Sequence, residues 1–201
     1  MGAIVKMPDS LFDKYQAQAF RAGVTPRTDE SIEWFRQKLS TLQNVNRRGI
    51  LKDPNLVKKN RPRIGSMYMY FYDPKTRETL PYYDAFPLVV MVEPAPGGFY
   101  GINLHYLPPV LRAKMLDGLL QITNNKRYDE STRMKLSYDL LKGSSKLKYF
   151  APCFKRYLFS QIEASPVMVQ ASEWEIAVFL PTEQFRKAKK GTVWKDSRGM
   201  I

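Results

Sequence analysis

Apolar residues in the middle of the chain fall into three short runs that are separated by turn residues. The runs cover residues 67–72, 86–92 and 99–107, and each is rich in aromatic or β-branched side chains. Between them lie Asp73-Pro74 and the glycine pair Gly97-Gly98, which favour chain reversals. Short runs bounded in this way are typical of antiparallel strands. The sequence therefore predicts a small antiparallel β-barrel or curled sheet over about residues 64–107.

The segments on both sides of this block carry apolar residues at helical spacing. One helix is predicted before the block, where Thr28 begins a capping sequence ahead of an apolar stripe. Four helices are predicted after it: one begins at a proline pair, one follows Asp129, one spans residues 154–162, and one begins at the capping-box pattern of Ser172 and Glu175. Residues 165–170 are predicted to be extended. The whole pattern favours an α+β fold in which the sheet packs with C-terminal helices.

The segment that joins the first helix to the β block is strongly basic. Residues 46–63 contain seven basic residues, one acidic residue and two prolines. Such a segment has little to bury, so we predict an extended basic arm, which serves as a solvated linker or binds phosphates or an acidic neighbour. The prediction divides the chain into an N-terminal arm with one helix, residues 1–63, and a single globular α+β domain, residues 64–201. In that domain a β block, residues 64–107, precedes a helical part, residues 108–201.

The charge of the chain is unevenly distributed. Lys and Arg number 32 against 19 Asp and Glu, which gives a net charge of +13. Residues 1–65 carry thirteen basic and six acidic residues, whereas residues 66–107 carry two and four. An excess of this size favours a polyanionic partner, which leaves nucleic acid, a membrane surface and acidic protein subunits as alternatives.

The basic residues of the arm and of the C-terminal tail are the candidate contacts to a partner or to DNA. Trp194 lies among the basic residues of the tail, where it could stack on a base, anchor a partner or pack on its own domain. The candidates are Arg47, Arg48, Lys52, Lys58, Lys59, Arg61, Arg63, Lys187, Lys189, Lys190, Trp194 and Arg198.

The sequence contains no motif of a common enzyme class. It lacks a phosphate-binding loop, a dinucleotide-binding glycine pattern, a nucleophile elbow, a zinc-protease motif and paired cysteines. We interpret the single cysteine, Cys153, as a core residue and the single histidine, His105, as a hydrogen-bonded or solvent-facing strand residue. Scattered carboxylates leave a metal-dependent nuclease open as an alternative. We expect a non-enzymatic protein with no catalytic residues, no cofactor and no metal.

Two further features bear on location. No apolar run approaches the roughly 20 residues that a membrane span needs. The first residues also lack the apolar region of a secretory signal. We therefore expect a soluble protein that is made inside the cell.

Several short sequences together resemble a known group of phage proteins. The resemblance covers about residues 64–201 and rests on residues 65–68, 72–75, 80–84, 86–88, 97–108, 123–128, 179–181 and 193–198. These sequences resemble small virion-associated proteins of T-even-type myoviruses and their cyanophage relatives, some of which are labelled DNA end protector. The resemblance brings no catalytic residues with it.

This resemblance implies a protein of the virion that is made in the host cytoplasm. Two functions are compatible with it. The one we favour from the sequence is a structural component of a contractile-tailed particle, at the neck or baseplate, whose basic arm and surface bind other virion proteins. The alternative is a DNA-end-binding protector that contacts the phosphate backbone of the packaged genome.

Overall fold

The computed structural model describes residues 10–58, 62–146 and 151–199. The helices are α1 Leu11–Arg21, α2 Asp29–Ser40, α3 Arg47–Lys52, α4 Pro109–Thr123, α5 Glu130–Lys146, α6 Trp174–Ala177 and α7 Lys190–Gly199. The strands are β1 Val57–Lys58, β2 Met67–Tyr72, β3 Tyr83–Asp84, β4 Leu88–Ala95, β5 Gly98–Asn103, β6 Phe154–Leu158, β7 Ile162–Val169 and β8 Phe185–Arg186. The predicted mixture of helices and antiparallel strands is confirmed.

Six strands form one antiparallel sheet in the order β1-β7-β2-β4-β5-β6, and β3 pairs with β8 in a separate two-stranded sheet. The three predicted apolar runs supply β2, β4 and β5. In the main sheet Tyr68 of β2 lies between Val89 of β4 and Met168 of β7. The hairpin between β4 and β5 turns at Gly97, whose φ of 70° suits glycine. The predicted strands and their glycine turn are confirmed.

The main sheet is strongly curled but does not close. Strand β6, which carries Tyr157, is the third strand from β2 in the sheet order. In a flat sheet the distance between these two strands would be about 14 Å. The ring centroid of Tyr157 nevertheless lies only 5.7 Å from that of Tyr70 and 4.9 Å from that of Tyr72. Strands β1 and β6 stay at the two edges. The barrel alternative is therefore wrong for the described residues, and the sheet also takes strands from outside residues 64–107.

The two faces of the curled sheet are buried in different ways. The concave face holds an aromatic cluster that includes Tyr68, Tyr70, Phe99 and Tyr157. The opposite face, to which Met69 and other alternate residues belong, packs into the main core with residues of the helices. The side chains of a strand point alternately to its two faces. At β2 both faces are covered, so the side chains on both faces are buried, and this explains why the sequence of β2 is apolar throughout.

The described part of residues 1–63 is not an extended arm. It contains three helices instead of the predicted one, and β1 pairs with β7. Helix α2 begins at the predicted cap, where the Thr28 hydroxyl accepts a hydrogen bond from the Ser31 amide at 3.2 Å. Buried residues of these helices, including Phe12, Leu39 and Ile50, belong to the main core. Apolar side chains at helical spacing, which the charge of the segment obscured, account for this packing.

The C-terminal part contains strands as well as helices. Helices α4 and α5 confirm the first two predictions, and β7 confirms the extended segment. The helix predicted over residues 154–162 is wrong, because this segment forms β6 and a short 3-10 turn. Pairing with β5 and burial of Tyr157 in the concave cluster outweigh the helical spacing. Among the described residues, no helix is long and apolar enough to cross a membrane.

Candidate nucleic-acid interface

A cleft of about 520 Å³ opens beside the two-stranded sheet and is lined by residues of α3, of the end of β2 and of β7. We call it the arginine cleft, because four arginines from three separate segments line it: Arg47, Arg48, Arg77 and Arg186. Phosphate groups bind well to guanidinium groups, whose planar donors can make two parallel hydrogen bonds. The cleft is therefore the candidate site for a phosphate backbone.

Helix α3 brings the first two arginines to the cleft. The side chain of Asn46 caps this helix by accepting a hydrogen bond from the Gly49 amide at 2.9 Å. Arg47 donates to the carbonyl oxygens of Thr182 and Glu183 at 2.7 and 2.8 Å. These bonds fix α3 against the segment that precedes β8. Arg48, the next residue, is exposed, and among the described residues its guanidinium has no hydrogen-bond or ion-pair partner.

The third arginine, Arg77, lies in the loop after β2. The Lys187 ammonium holds this loop by donating to the carbonyl oxygens of Arg77, Glu78 and Leu80 at 2.5, 3.1 and 3.1 Å. Arg77 itself forms an ion pair with Asp73 at 2.7 Å. Lys187, which follows β8, thus fixes the loop that carries Arg77 at the edge of the cleft.

The fourth arginine, Arg186, is positioned by the pairing of β3 with β8, in which it lies opposite Tyr83. Asp84, the next residue of β3, is buried beneath this pair. Its carboxylate accepts hydrogen bonds from the amides of Phe86 and Gln184 at 3.1 and 3.0 Å. The backbone that carries Arg186 is therefore fastened to β3 by both strand pairing and a buried carboxylate.

The Asp84 carboxylate also contacts two polar side chains of the core. His105 Nδ1 lies 2.7 Å from Asp84 Oδ2, and Asn103 donates to the same oxygen at 3.1 Å. On the other side of the imidazole, Nε2 lies 3.1 Å from the Thr182 hydroxyl. Burial raises the pKa of Asp84, but the charge of His105 and the hydrogen bonds lower this pKa below its ordinary value.

The Asp84, His105 and Thr182 side chains form a row that superficially resembles a catalytic triad. His105 is fully buried, in a 3-10 helix and not in the predicted strand, so its ring does not reach solvent. The prediction that it is hydrogen-bonded is confirmed. Cys153 is buried as predicted, and burial raises the pKa of its thiol to about 12. Both residues serve the packing of the core.

The arginine cleft has a positive charge that the protein itself neutralises only in part. Its four arginines face two acidic residues, Asp73 and Glu163, which leaves a net charge of +2. Asp73 is engaged by Arg77. Within the described parts of the chain, the side chains of Arg48 and Arg186 have neither an ion-pair partner nor a hydrogen-bond acceptor. These two arginines are the ones available to an anionic ligand.

The structure disperses the other predicted contact residues. Lys190 pairs with Glu183 at 3.4 Å and lies 5.6 Å from the ring of Trp194. Trp194 packs on its own domain, since its indole donates to the His105 carbonyl at 2.9 Å. Lys59 and Arg61 lie outside the described residues. The remaining candidates are exposed away from the arginine cleft: Lys52, Lys58, Arg63, Lys189 and Arg198.

Two arginines of the cleft, Arg77 and Arg186, were not among the predicted contact residues. Arg77 was missed because it lies in the near-neutral β block. Arg186 was missed because it belongs to β8, a strand of only two residues whose pairing cannot be predicted from the sequence. The one sequence feature that favours a strand at Arg186 is the aromatic residue next to it, Phe185. Among the residues that the structure describes, no group of three or more His, Cys, Asp or Glu is arranged to hold a metal ion.

Comparison with known protein families gives one match. The family described as phage T4 terminal DNA protecting protein matches residues 5–197. No match was found among curated proteins or among solved structures. The family match confirms the resemblance to DNA end protectors of T4-type phages and extends it through the N-terminal helices. The chain therefore belongs to the family of the phage T4 terminal DNA protecting protein.

Proposed function

We propose that the protein binds the ends of linear phage DNA and shields them from exonucleases, with the arginine cleft holding phosphates of the backbone. The protein acts by covering the end and carries out no chemical step. It stays with the packaged genome in the phage particle. Support comes from the family, whose description names terminal DNA protection, and from the net charge of +13.

The observation that carries the proposal is that Arg48 and Arg186 line one cleft and have no partners of their own in the part of the chain that the structure describes. Two guanidinium groups on the walls of one cleft give it a positive potential that attracts an anion. A phosphate group in the cleft can accept charge-assisted hydrogen bonds from these guanidinium groups. Arg47 and Lys187 contribute by holding the cleft walls, since their donors are occupied by carbonyl oxygens.

The structural role at the neck or baseplate, which we favoured from the sequence, gains no support from the family match. The predicted extended arm was its main basis, and the described residues of that segment are helical and pack on the core. End protection is therefore the function that we propose for this chain.

Binding to a linear duplex at several salt concentrations tests the cleft. Every phosphate that a protein neutralises makes the slope of log K against log salt steeper by about 0.9. The double variant Arg48→Gln/Arg186→Gln is expected to bind more weakly, with a slope that is shallower by about 2. Its control is Arg21→Gln/Arg127→Gln, which removes the same charge from exposed positions outside the cleft.

The control pair should keep most of the affinity and the slope of the unmodified protein. If the two double variants behave alike, charge alone governs binding and the arginine cleft holds no phosphate.

A further inference from the structure

A second cleft, of about 420 Å³, adjoins the arginine cleft, because Tyr72 and Tyr83 line both. We call it the tyrosine cleft, and its other walls include Tyr82, Tyr106 and Lys155. In contrast to its neighbour, it is lined mainly by apolar surface. Its volume is that of pockets that bind small molecules, which suits one nucleotide and excludes a duplex.

Lys155 is a half-buried cation that has no anionic partner among the described residues. Its ammonium lies 4.5 Å from the centroid of the Tyr106 ring. Across the described segments it has no carboxylate and no hydrogen-bond acceptor, and the one ionisable group that favours its charged form is the buried thiol of Cys153, whose own raised pKa keeps it neutral. Burial lowers the pKa of Lys155, which means that the site destabilises its charged form.

The other buried cation of the described core is treated differently. Arg112 donates to the carbonyl oxygens of His105, Leu107 and Val178. It also lies 3.7 Å from a carboxylate oxygen of Glu183. Arg112 thus makes three hydrogen bonds and one ion pair within the fold, whereas the three donors of the Lys155 ammonium have no acceptor among the described residues. Lys155 faces a cleft, so an anion from outside can supply the missing acceptors.

The aromatic wall beside Lys155 offers a surface for a base. The rings of Tyr82 and Tyr106 lie 6.1 Å apart with an angle of 35° between their planes. Tyr106 is buried, but Tyr82 is only half-buried and leaves part of its ring open to the cleft. Stacking of a base on an aromatic side chain stabilises the complex and tolerates any base.

We propose that the tyrosine cleft binds the terminal nucleotide of a DNA end, with its terminal phosphate on Lys155 and its base against Tyr82. This inference rests on the proposed function and adds the feature by which an end is distinguished from internal DNA. A terminal base pair opens cheaply, whereas an internal base must be flipped out of the stack at a cost of a few kcal/mol. A terminal phosphate occurs only at an end. The adjoining arginine cleft then holds phosphates further along the strand.

The test compares three linear duplexes of one sequence, whose ends carry a 5′-phosphate, a 3′-phosphate or hydroxyl groups only. The full-length protein is expected to bind one of the phosphorylated duplexes about tenfold more tightly than the hydroxyl duplex, since a charge-assisted hydrogen bond is worth about that factor. The two phosphorylated arms show which strand end enters the cleft. Equal affinity for all three duplexes would overturn the inference.

Substitutions then assign the preference to the cleft. Lys155→Met keeps an apolar side chain beside Tyr106 but removes the charge. It should abolish the tenfold preference for the phosphorylated duplex. The slope of log K against log salt for circular DNA should stay unchanged. The matched control Lys114→Met, at an exposed position of α4, should keep the preference. Tyr82→Ala should weaken end binding and Tyr82→Phe should not. A Lys155→Met protein that still prefers phosphorylated ends contradicts the assignment.

A measurement on the unmodified protein removes any dependence on folding of the variants. The thymidine monophosphate whose phosphate is at the position of the preferred end, 5′ or 3′, should compete with the phosphorylated duplex, and thymidine should not. Competition by neither compound overturns the inference. Binding to ends without regard to phosphorylation refutes the tyrosine cleft but leaves end protection standing, whereas equal binding to linear and circular DNA refutes end protection itself.

Discussion

Asp84 is the residue on which the candidate interface most depends. Its carboxylate receives hydrogen bonds from the amides of Phe86 and Gln184 and contacts the side chains of Asn103 and His105. These groups come from segments up to 100 residues apart in the chain. In the sequence Asp84 is one of 19 acidic residues, and nothing near it distinguishes it. Its role could therefore not be predicted, because its partners meet only in the folded protein.

Substituting Asp84 should destabilise the protein strongly at neutral pH. In Asp84→Asn, an NH2 group replaces one acceptor oxygen and the buried negative charge is lost, so some of the buried donors lose their acceptor and the free energy of unfolding should fall by about 3 kcal/mol. The matched substitution Asp73→Asn breaks an exposed ion pair and should cost less than about 1 kcal/mol. Urea unfolding at pH 7 measures both values. Equal costs for the two variants would contradict a special role of Asp84.

The same carboxylate predicts a pH dependence. Because the pKa of Asp84 is lowered in the folded protein, its stabilisation is present above the unfolded pKa of about 3.9 and is lost as pH falls towards the folded value. The difference in unfolding free energy between the unmodified protein and Asp84→Asn should therefore shrink below about pH 4. Urea titrations from pH 7 to pH 3 follow it. A constant difference over that range would contradict the lowered pKa.

Gly98 requires glycine for a reason that the sequence did not reveal. The sequence suggested a positive φ in this hairpin, and the structure places that conformation at Gly97. At Gly98 a Cβ atom would instead overlap the carbonyl oxygen of Tyr157 on the neighbouring strand. We expect Gly98→Ala to lower the unfolding free energy by about 3 kcal/mol, because strands β5 and β6 must separate.

Two other glycines provide controls for this prediction. Gly97→Ala should cost only about 1–2 kcal/mol, since its Cβ meets no neighbour and only the left-handed conformation is strained. Gly191→Ala in α7 should be neutral or slightly stabilising. Thermal unfolding ranks the three variants, and a Gly98→Ala protein as stable as Gly191→Ala would refute the close approach of the strands.

At the scale of elements, the prediction was most accurate where local pattern and tertiary role agree. Strands β2, β4 and β5 lie within or next to the predicted runs, and α4 begins at the predicted prolines. The segment of β6 has apolar residues at helical spacing but forms a strand, because β5 offers an edge and the concave cluster buries Tyr157. Short apolar segments do not reveal which of these outcomes prevails.

The N-terminal helices should contribute to the stability of the whole domain. Leu39 of α2 is fully buried in the main core, so Leu39→Ala is expected to cost about 2–5 kcal/mol. Phe20 of α1 is 84% exposed, and Phe20→Ala should change stability by less than about 0.5 kcal/mol. Denaturant unfolding should show a single transition in both variants. An unchanged stability of Leu39→Ala would show that these helices do not belong to the cooperative core.

At the scale of the whole molecule, the sequence predicted a polyanionic partner but not the surface that binds it. From the sequence we assigned the partner contacts mainly to a basic arm. In the described structure three cations without an anionic partner, Arg48, Arg186 and Lys155, line two adjoining clefts. Arg48 lies more than 100 residues from Lys155 and Arg186 in the chain, and the fold brings the three residues to these two clefts. Net charge can be read from a sequence, but convergence of charges requires the fold.

The most direct test of end protection is digestion of linear DNA by an exonuclease in the presence of the protein, combined with competition by closed circular DNA of the same length. We predict that bound linear DNA resists digestion and that circular DNA competes at least tenfold less well than linear DNA. The double variant Arg48→Gln/Arg186→Gln should lose protection at moderate salt, where its weakened hold on the phosphates no longer keeps the end covered. Unhindered digestion of linear DNA at saturating protein, with circular DNA competing equally, would contradict end protection.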